Sequence, residues 1–200
     1  MTFNPSPSFG LATLTADLHP YVPPGGRGAS PVSALRVACS ALPGGGLSLA
    51  YTLEGSIQAL RVPVKGGPDA WPLWRHTCFE AFLALPGEEG YREYNFSPAG
   101  LWAASAFRRY RGMACELAGG DALQPVIEAS WCDAALRLTA RLPSDLLPGG
   151  PVLRAGLSAV VEYGDGQIEY WALRHPVDER ADFHHQDGWT LRLDTRQVRP

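Results

Sequence analysis

Glu80 is the residue whose setting most needs a chemical explanation. It lies within Leu73–Phe107, LWRHTCFEAFLALPGEEGYREYNFSPAGLWAASAF, which reads as three consecutive β-strands: Thr77–Leu85, Tyr91–Ser97 and Leu101–Phe107. Pro86-Gly87 and Pro98-Ala99-Gly100 supply the turns. Successive side chains of a strand point to opposite faces. Phe79, Ala81, Leu83 and Leu85 therefore share one face. Cys78, Glu80, Phe82 and Ala84 share the other, with His76 just ahead of them. A carboxylate among such neighbours must be paired, hydrogen-bonded or turned toward a ligand. Two readings stand side by side: a cross-strand Arg or Tyr partner, and a ligand.

Four other groups could carry chemistry. Trp71 and Trp74 stand three apart in the Pro/Gly-rich loop Lys65–Leu73. They are either a plug for the end of the core or an aromatic platform for a ligand ring. His175, His184 and His185 are three of the five histidines and fall within eleven residues, with Asp182 and Asp187 between or beside them. Imidazole plus carboxylate suits a transition metal. Adjacent histidines on an extended chain diverge, however, so His184 and His185 do not ligate one ion together. The plainer reading has these histidines bonding loop backbone, and a third has them lining a ligand pocket. Met113, the only internal methionine, has a thioether that can act as a ligand, although a lone Met is ordinarily core filler. Glu80 and Glu93 form a conceivable carboxylate pair for glycoside chemistry, with a separation set by a register that sequence does not fix. Ser97 is not in a nucleophile elbow, and no glycine-rich phosphate loop opens a helix. The balance favours binding without catalysis, and neither a cofactor nor a resident metal is expected.

The elements that must position these groups are strands. Leu11–Leu18 alternates weakly and reads as an edge strand, and the Pro/Gly run from His19 to Gly26 as neither helix nor central strand. Val32–Leu42 and Leu47–Glu54 form a hairpin across Gly44-Gly45-Gly46, and Ile57–Val62 reads as a short third strand. Arg108–Gly120 is irregular, and Arg108-Arg109-Tyr110-Arg111 within it reads as a solvated loop. Gln124–Cys132 and Ala134–Leu142 pair about Asp133, with Leu136, Leu138, Ala140 and Leu142 inward. Pro143–Leu147 is at most one helical turn. Val152–Tyr163, Gln167–Leu173 and Gly188–Leu193 complete ten to twelve strands with no amphipathic helix. Short, regularly spaced strands joined by hairpins predict an all-β fold, an antiparallel two-sheet β-sandwich of the jelly-roll or immunoglobulin-like kind, with little or no helix.

Composition sets the bounds. Two hundred residues, 46% of them apolar, make one domain over 1–200 with a sizeable core. A net charge of −3 and only 18% charged residues exclude the basic footprint of a nucleic-acid binder. The sequence MTFNPSPSFG lacks the pattern of a signal peptide, and no apolar run could span a bilayer, so the cytoplasm is the expected location and no membrane partner is expected. Cys39, Cys78, Cys115 and Cys132 form no CxxC pair and read as buried free thiols.

The order of motifs resembles the DOMON-like sandwiches related to family 9 carbohydrate-binding modules. The Trp-rich loop is followed by HTCFEAFLAL and YREYNFSPAGLW. Later come LRLTARLPSDLL, LRAGLSAVVEYGDGQIEYWAL and RHPVDERADFHHQDGWTLRL. The last stretch is similar to a bacterial branch of stand-alone, uncharacterised members. The resemblance runs from about Trp71 to Leu193. It implies a sandwich whose sugar ligand is held between two tryptophans, with a strand Glu, an Asn and an Arg on its hydroxyls. Carried to this sequence, Glu80 matches the strand Glu, Trp71 or Trp74 the early Trp, and Trp171 the late one. Asn95 matches the Asn, and Arg75 or Arg174 the Arg. His76, His175 and His184 are added as polar lining. Other DOMON relatives bind haem through a Met and a His or Lys, and on that side of the resemblance Met113 would oppose His76, His175 or His184. The expected partner is a small sugar-like molecule. The departures are the absent secretion signal and the absent attached hydrolase. They leave open a retuned or vestigial pocket and a protein-interaction role.

Overall fold

The computed structural model describes residues 13–26, 28–66, 71–117 and 124–195. The lead-in 1–10, Leu11 and Ala12 of the first expected strand, and Gly67-Pro68 of the Trp loop lie outside the described residues.

Alternating apolar residues convert into twelve strands: β1 (Leu14–Pro20), β2 (Val32–Ala41), β3 (Leu47–Gly55), β4 (Cys78–Ala84), β5 (Tyr91–Phe96), β6 (Trp102–Phe107), β7 (Ala114–Glu116), β8 (Val126–Cys132), β9 (Ala135–Leu142), β10 (Val152–Glu162), β11 (Ile168–Ala172) and β12 (Leu191–Asp194). Four 3-10 turns are the only helical pieces among the described residues. Every strand pairing is antiparallel, in the order β7-β6-β5-β4-β10-β11-β1-β2-β3-β9-β8, with β12 added to the start of β10. The result is one curled antiparallel sheet, a half-barrel, rather than two separately bounded sheets. β1 is the reason. Leu14–Leu18 pairs with β2 and His19-Pro20 pairs with β11, so the ladder never breaks.

That arrangement corrects the reading of β1 as an edge strand. It also corrects the exclusion of His19-Pro20 from a central strand. Pro20 is tolerated because it closes the strand, where its missing N–H interrupts little, and Tyr21 N–H then donates to the Tyr170 carbonyl. Ile57–Val62 is not a strand. Ile57–Ala59 is a 3-10 turn, and Leu60 makes a single bridge to Tyr163. Within the segment expected to be irregular, Ala114–Glu116 adds to β6 as β7; three exposed residues carry no alternation to read.

The curl encloses the core. Leu35 and Val37 of β2, Leu49, Tyr51 and Leu53 of β3, and Leu136 and Leu138 of β9 pack against Phe79, Ala81 and Leu83 of β4 and the inward residues of β10. Tyr51 meets Phe79 at 4.9 Å between ring centroids, and its hydroxyl donates to the Glu80 carbonyl at 2.9 Å. Burying each such large side chain contributes roughly 1.5–3 kcal/mol. β4 and β10 are buried along almost their whole length on both faces. The second covering is a smaller cluster of Phe82, Ala84, Tyr91 and Trp189 at one end of the outer face. The rest of that face is left to form the site. Of the four free cysteines, Cys39 and Cys78 are buried as expected, whereas Cys115 and Cys132 are exposed on β7 and β8.

Candidate functional site

Register decides what the outer face carries, because directly opposed residues of antiparallel strands share a face. One row runs Ser158, Glu80, Asn95 and Ala103 across β10, β4, β5 and β6. The next runs Gly156, Phe82, Glu93 and Ser105. Two carboxyl groups and an amide thus stand together on a sheet surface that is otherwise apolar or small. Above them opens a cleft of about 800 Å³. Glu80, Phe82, Glu93, Ser105 and Val160 lie along its floor, and Phe107, Ile168 and Tyr170 extend it to either side.

Two segments raise the walls. The first is the 3-10 turn Leu73–Arg75, anchored by buried Leu73 and by His76 N–H donating to the Leu73 carbonyl. It presents Trp74, 50% exposed, together with Arg75 and His76. His76 Nδ1 lies 2.8 Å from Glu162 Oε2, and Arg61 holds the other oxygen of that carboxylate at 2.8 Å.

The second wall is the stretch from Ala181 to His184, held by buried Asp182. That carboxylate accepts from the Tyr110 hydroxyl, from Arg111 Nη2 at 2.8 Å and from the His184 N–H at 3.2 Å. Burial alone would raise Asp182; the bonds from Tyr110 and Arg111 outweigh it and hold the group below its ordinary value. Arg111 sits at φ 47°, the one non-glycine residue in the left-handed region among the described residues. That conformation costs on the order of 1–3 kcal/mol and is held by the surrounding bonds. Its N–H donates to the Tyr91 hydroxyl at 3.2 Å. The basic run taken as a solvated loop is therefore corrected at its last member, which ties the β6–β7 connection to the second wall.

His184 is packed among Phe82, Tyr91 and Phe107, with ring centroids at 5.1, 5.8 and 5.2 Å. Burial, and then the nearby Arg111 charge, lower its pKa to about 4, so the imidazole is neutral at neutral pH. Burial pushes the Tyr91 phenol up to about 12, and its hydroxyl is hydrogen-bonded to His184 Nδ1 at 2.7 Å. His184 Nε2 faces Glu93 Oε2 at 3.9 Å, with the ring neutral rather than half of an ion pair.

Glu80 and Glu93 are 3% and 8% exposed. Burial raises both pKa values. For Glu80 the neighbouring Glu93 charge raises it further, against a hydrogen bond from Ser158. For Glu93 the bond from Asn95 and the Arg111 charge oppose the rise. The Glu80 carboxyl takes neither a cross-strand Arg nor a Tyr. Ser158 Oγ donates to its Oε2 at 3.3 Å, and Oε1 has no protein partner among the described residues. Asn95 Nδ2 donates to Glu93 Oε1 at 2.8 Å.

Of the residues expected at a site, Trp74, Arg75, His76, Glu80 and His184 line the cleft. Asn95 lies in the same polar row and acts through Glu93. Trp71 is exposed but is not among the cleft residues. Trp171 goes elsewhere. It pairs with Ala159, whose side chain faces the core, and is 4% exposed inside the curl, its Nε1–H donating to Glu169 Oε2. Arg174 is exposed beside a shallow neighbouring hollow. His175 packs on Tyr21, with Nε2 donating to the His19 carbonyl at 2.9 Å and a buried Nδ1 that has no partner.

His184 and His185 diverge as adjacent extended residues should: His185 Nδ1 accepts from the Asp187 N–H. Among the described residues no three His, Cys, Asp or Glu side chains converge to hold a metal ion. Met113 is 88% exposed, outside the core and outside the cleft lining. Among the cleft residues that sequence reasoning did not propose are Phe107, Arg111, Tyr170, Phe183 and Ser105. Cross-strand register puts Ser105, Phe107 and Tyr170 on the outer face with Glu80, and loop contacts through Asp182 and Trp189 bring in Arg111 and Phe183.

In sequence, the chain matches no protein-family model and no curated protein. In structure, it shares its fold with a candidate carbohydrate-binding protein from Bacteroides uniformis. The TM-score is 0.64 at 13% identity, over 90% of this chain and 85% of that one. Lower similarity extends to a family 9 carbohydrate-binding module from Caldicellulosiruptor kristjanssonii. In complex with cellotriose the TM-score is 0.46, at 10% identity over 78% and 72% of the two chains. In complex with glucose it is 0.44, at 10% identity over 78% and 74%.

Proposed function

We propose that this protein binds a small polar ligand of the sugar type in the outer-face cleft, without transforming it. One observation carries the reading: aromatic side chains line the same cleft as two buried carboxyl groups, one of them held by Asn95. Apolar CH faces of a sugar ring stack on indole and phenyl surfaces, while carboxyl and amide groups take up its hydroxyls. Trp74, Phe107, Tyr170 and Phe183 supply the first kind of surface, and Glu80, Glu93 and Ser105 the second. The fold shared with the Bacteroides uniformis protein is consistent with it. The two limbs of the curl, one on each side of β1, are on this reading the two sheets of a sandwich of the carbohydrate-binding-module kind, and the cytoplasm is its place of action.

The test is calorimetric titration with a panel of mono- and oligosaccharides, alongside Trp74→Ala and Glu80→Gln. Saturable binding that both substitutions weaken supports the cleft. No heat from any sugar, in a protein that still melts cooperatively, overturns it.

A further inference from the structure

Resting on that ligand reading, we propose that the cleft selects a sugar bearing a free, protonated amine, with the ammonium held between Glu80 and Glu93. The first observation is the unfinished hydrogen bonding of the floor. Glu80 Oε2 has Ser158 at 3.3 Å, and Oε1 has no protein partner and opens onto the cleft. Glu93 Oε1 has Asn95, but among the described residues Oε2 has only the neutral His184 Nε2 at 3.9 Å, beyond hydrogen-bond reach. The two carboxyls thus present vacant acceptor positions on one surface.

The second observation is where the local cations are spent. Arg111 is tied to Asp182 at 2.8 Å. His76 faces Glu162, which Arg61 also holds. Arg75 is on the exposed 3-10 turn at the rim. None of these forms an ion pair with Glu80 or Glu93 among the described residues. Two buried carboxyls that no cation pairs directly are costly to ionise together, and burial raises both in spite of the Arg111 charge near Glu93. An ammonium supplies one positive charge and three donors, and matches acceptors that a neutral sugar fills only with single hydroxyl donors.

The third observation is the walls. Trp74, Phe82, Phe107, Tyr170 and Phe183 line the same cleft as the carboxyls, and aromatic rings attract a cation as well as sugar CH groups. An ammonium between the carboxyls favours their ionised forms, so its binding is expected to draw protons off the raised pair and release them to the buffer.

The experiment titrates the full chain at pH 6.5 with glucosamine, glucose and N-acetylglucosamine, the last keeping the nitrogen but not its charge. Glucosamine is expected to bind about tenfold or more tightly than the other two, with proton release read from buffers of differing ionisation enthalpy. Glu93→Gln and Glu80→Gln, each verified as folded by thermal melting, are expected to erase that preference and leave residual neutral-sugar binding. Glucose or N-acetylglucosamine binding as well as glucosamine overturns the charge selectivity and leaves the sugar cleft standing. No saturation by any of the three, in a cooperatively melting protein, overturns both.

Discussion

Gly156 lies beneath the indole of Trp189 so closely that a methyl group on it would stand 2.0 Å from Trp189 Cδ1. Trp189 in turn stacks on Phe82 at 5.9 Å, and its Nε1–H donates to the Phe183 carbonyl at 2.8 Å. The absence of one side chain on β10 therefore sets the height of the whole wall that carries Phe183 and His184. Gly156→Ala is expected to lift the indole and cost about 1–3 kcal/mol, the range for overpacking a filled site. Urea unfolding measures the loss, and near-UV circular dichroism follows the displaced tryptophan. A variant with the stability and spectrum of the parent would show that the contact relaxes freely.

The two tryptophans of opposite fate give the second prediction. Trp171→Ala empties the core and is expected to destabilise by about 3–5 kcal/mol. Trp74→Ala removes a half-exposed ring from a turn that Leu73 anchors, and should change stability by no more than about 0.5 kcal/mol. Thermal and urea denaturation of both variants decide it. Equal losses would mean that Trp74, too, is structural.

That contrast also marks how far the sequence could be read. The alternation of β4 was plain from composition, and Glu80 does share its face with Cys78 and Phe82 while Phe79, Ala81 and Leu83 face the core. In β2, β3 and β9, where one face is buried and the other is not, alternation made the strands legible, whereas β4, buried on both faces, was legible from its run of apolar residues bounded by turn residues. What stayed hidden depends on non-local pairing. Trp171 points to the core because it opposes Ala159, and Glu93 meets Glu80 because Phe82 opposes Glu93; neither register is written locally. β1 is central for a similar reason, since its seven residues divide between two partners. The role of Arg111 was invisible because its partner Asp182 lies 71 residues away.

The buried carboxyls predict a slope of stability with pH. Burial raises Glu80 and Glu93 in the fold, from ordinary values near 4.5. The folded chain therefore holds protons that the unfolded chain releases. The resulting stability is complete below about pH 4.5 and declines as pH rises through the folded values. Glu80→Gln keeps the shape, removes one buried charge and offers an amide donor toward its neighbours. It should be the more stable protein at pH 8, with a flatter decline above pH 5. Urea midpoints at half-unit intervals test this; parent and variant curves that run parallel would mean that Glu80 titrates as it does in the unfolded chain.

His184 acts in the opposite sense. Its folded pKa of about 4 lies below the ordinary 6.5, so the unfolded chain binds the proton first. The stability it contributes is present above about pH 6.5 and is lost as pH falls toward 4; linkage puts the loss at about 2 kcal/mol between pH 7.5 and pH 5. The groups facing it are Glu93, Tyr91, Arg111 and Asp182. Asp182 keeps its charge across this window because it is held below its ordinary value. The rising protonation of Glu80 and Glu93 is common to parent and variant. Subtracting the curve of His184→Asn from that of the parent therefore isolates the imidazole. The difference should shrink by about 2 kcal/mol on acidification through that window, and the His184 ring protons should titrate by NMR with a midpoint near 4. A midpoint near 6.5, or a difference that does not change with pH, would place His184 in contact with solvent and undo the case for a dry wall beside Glu93.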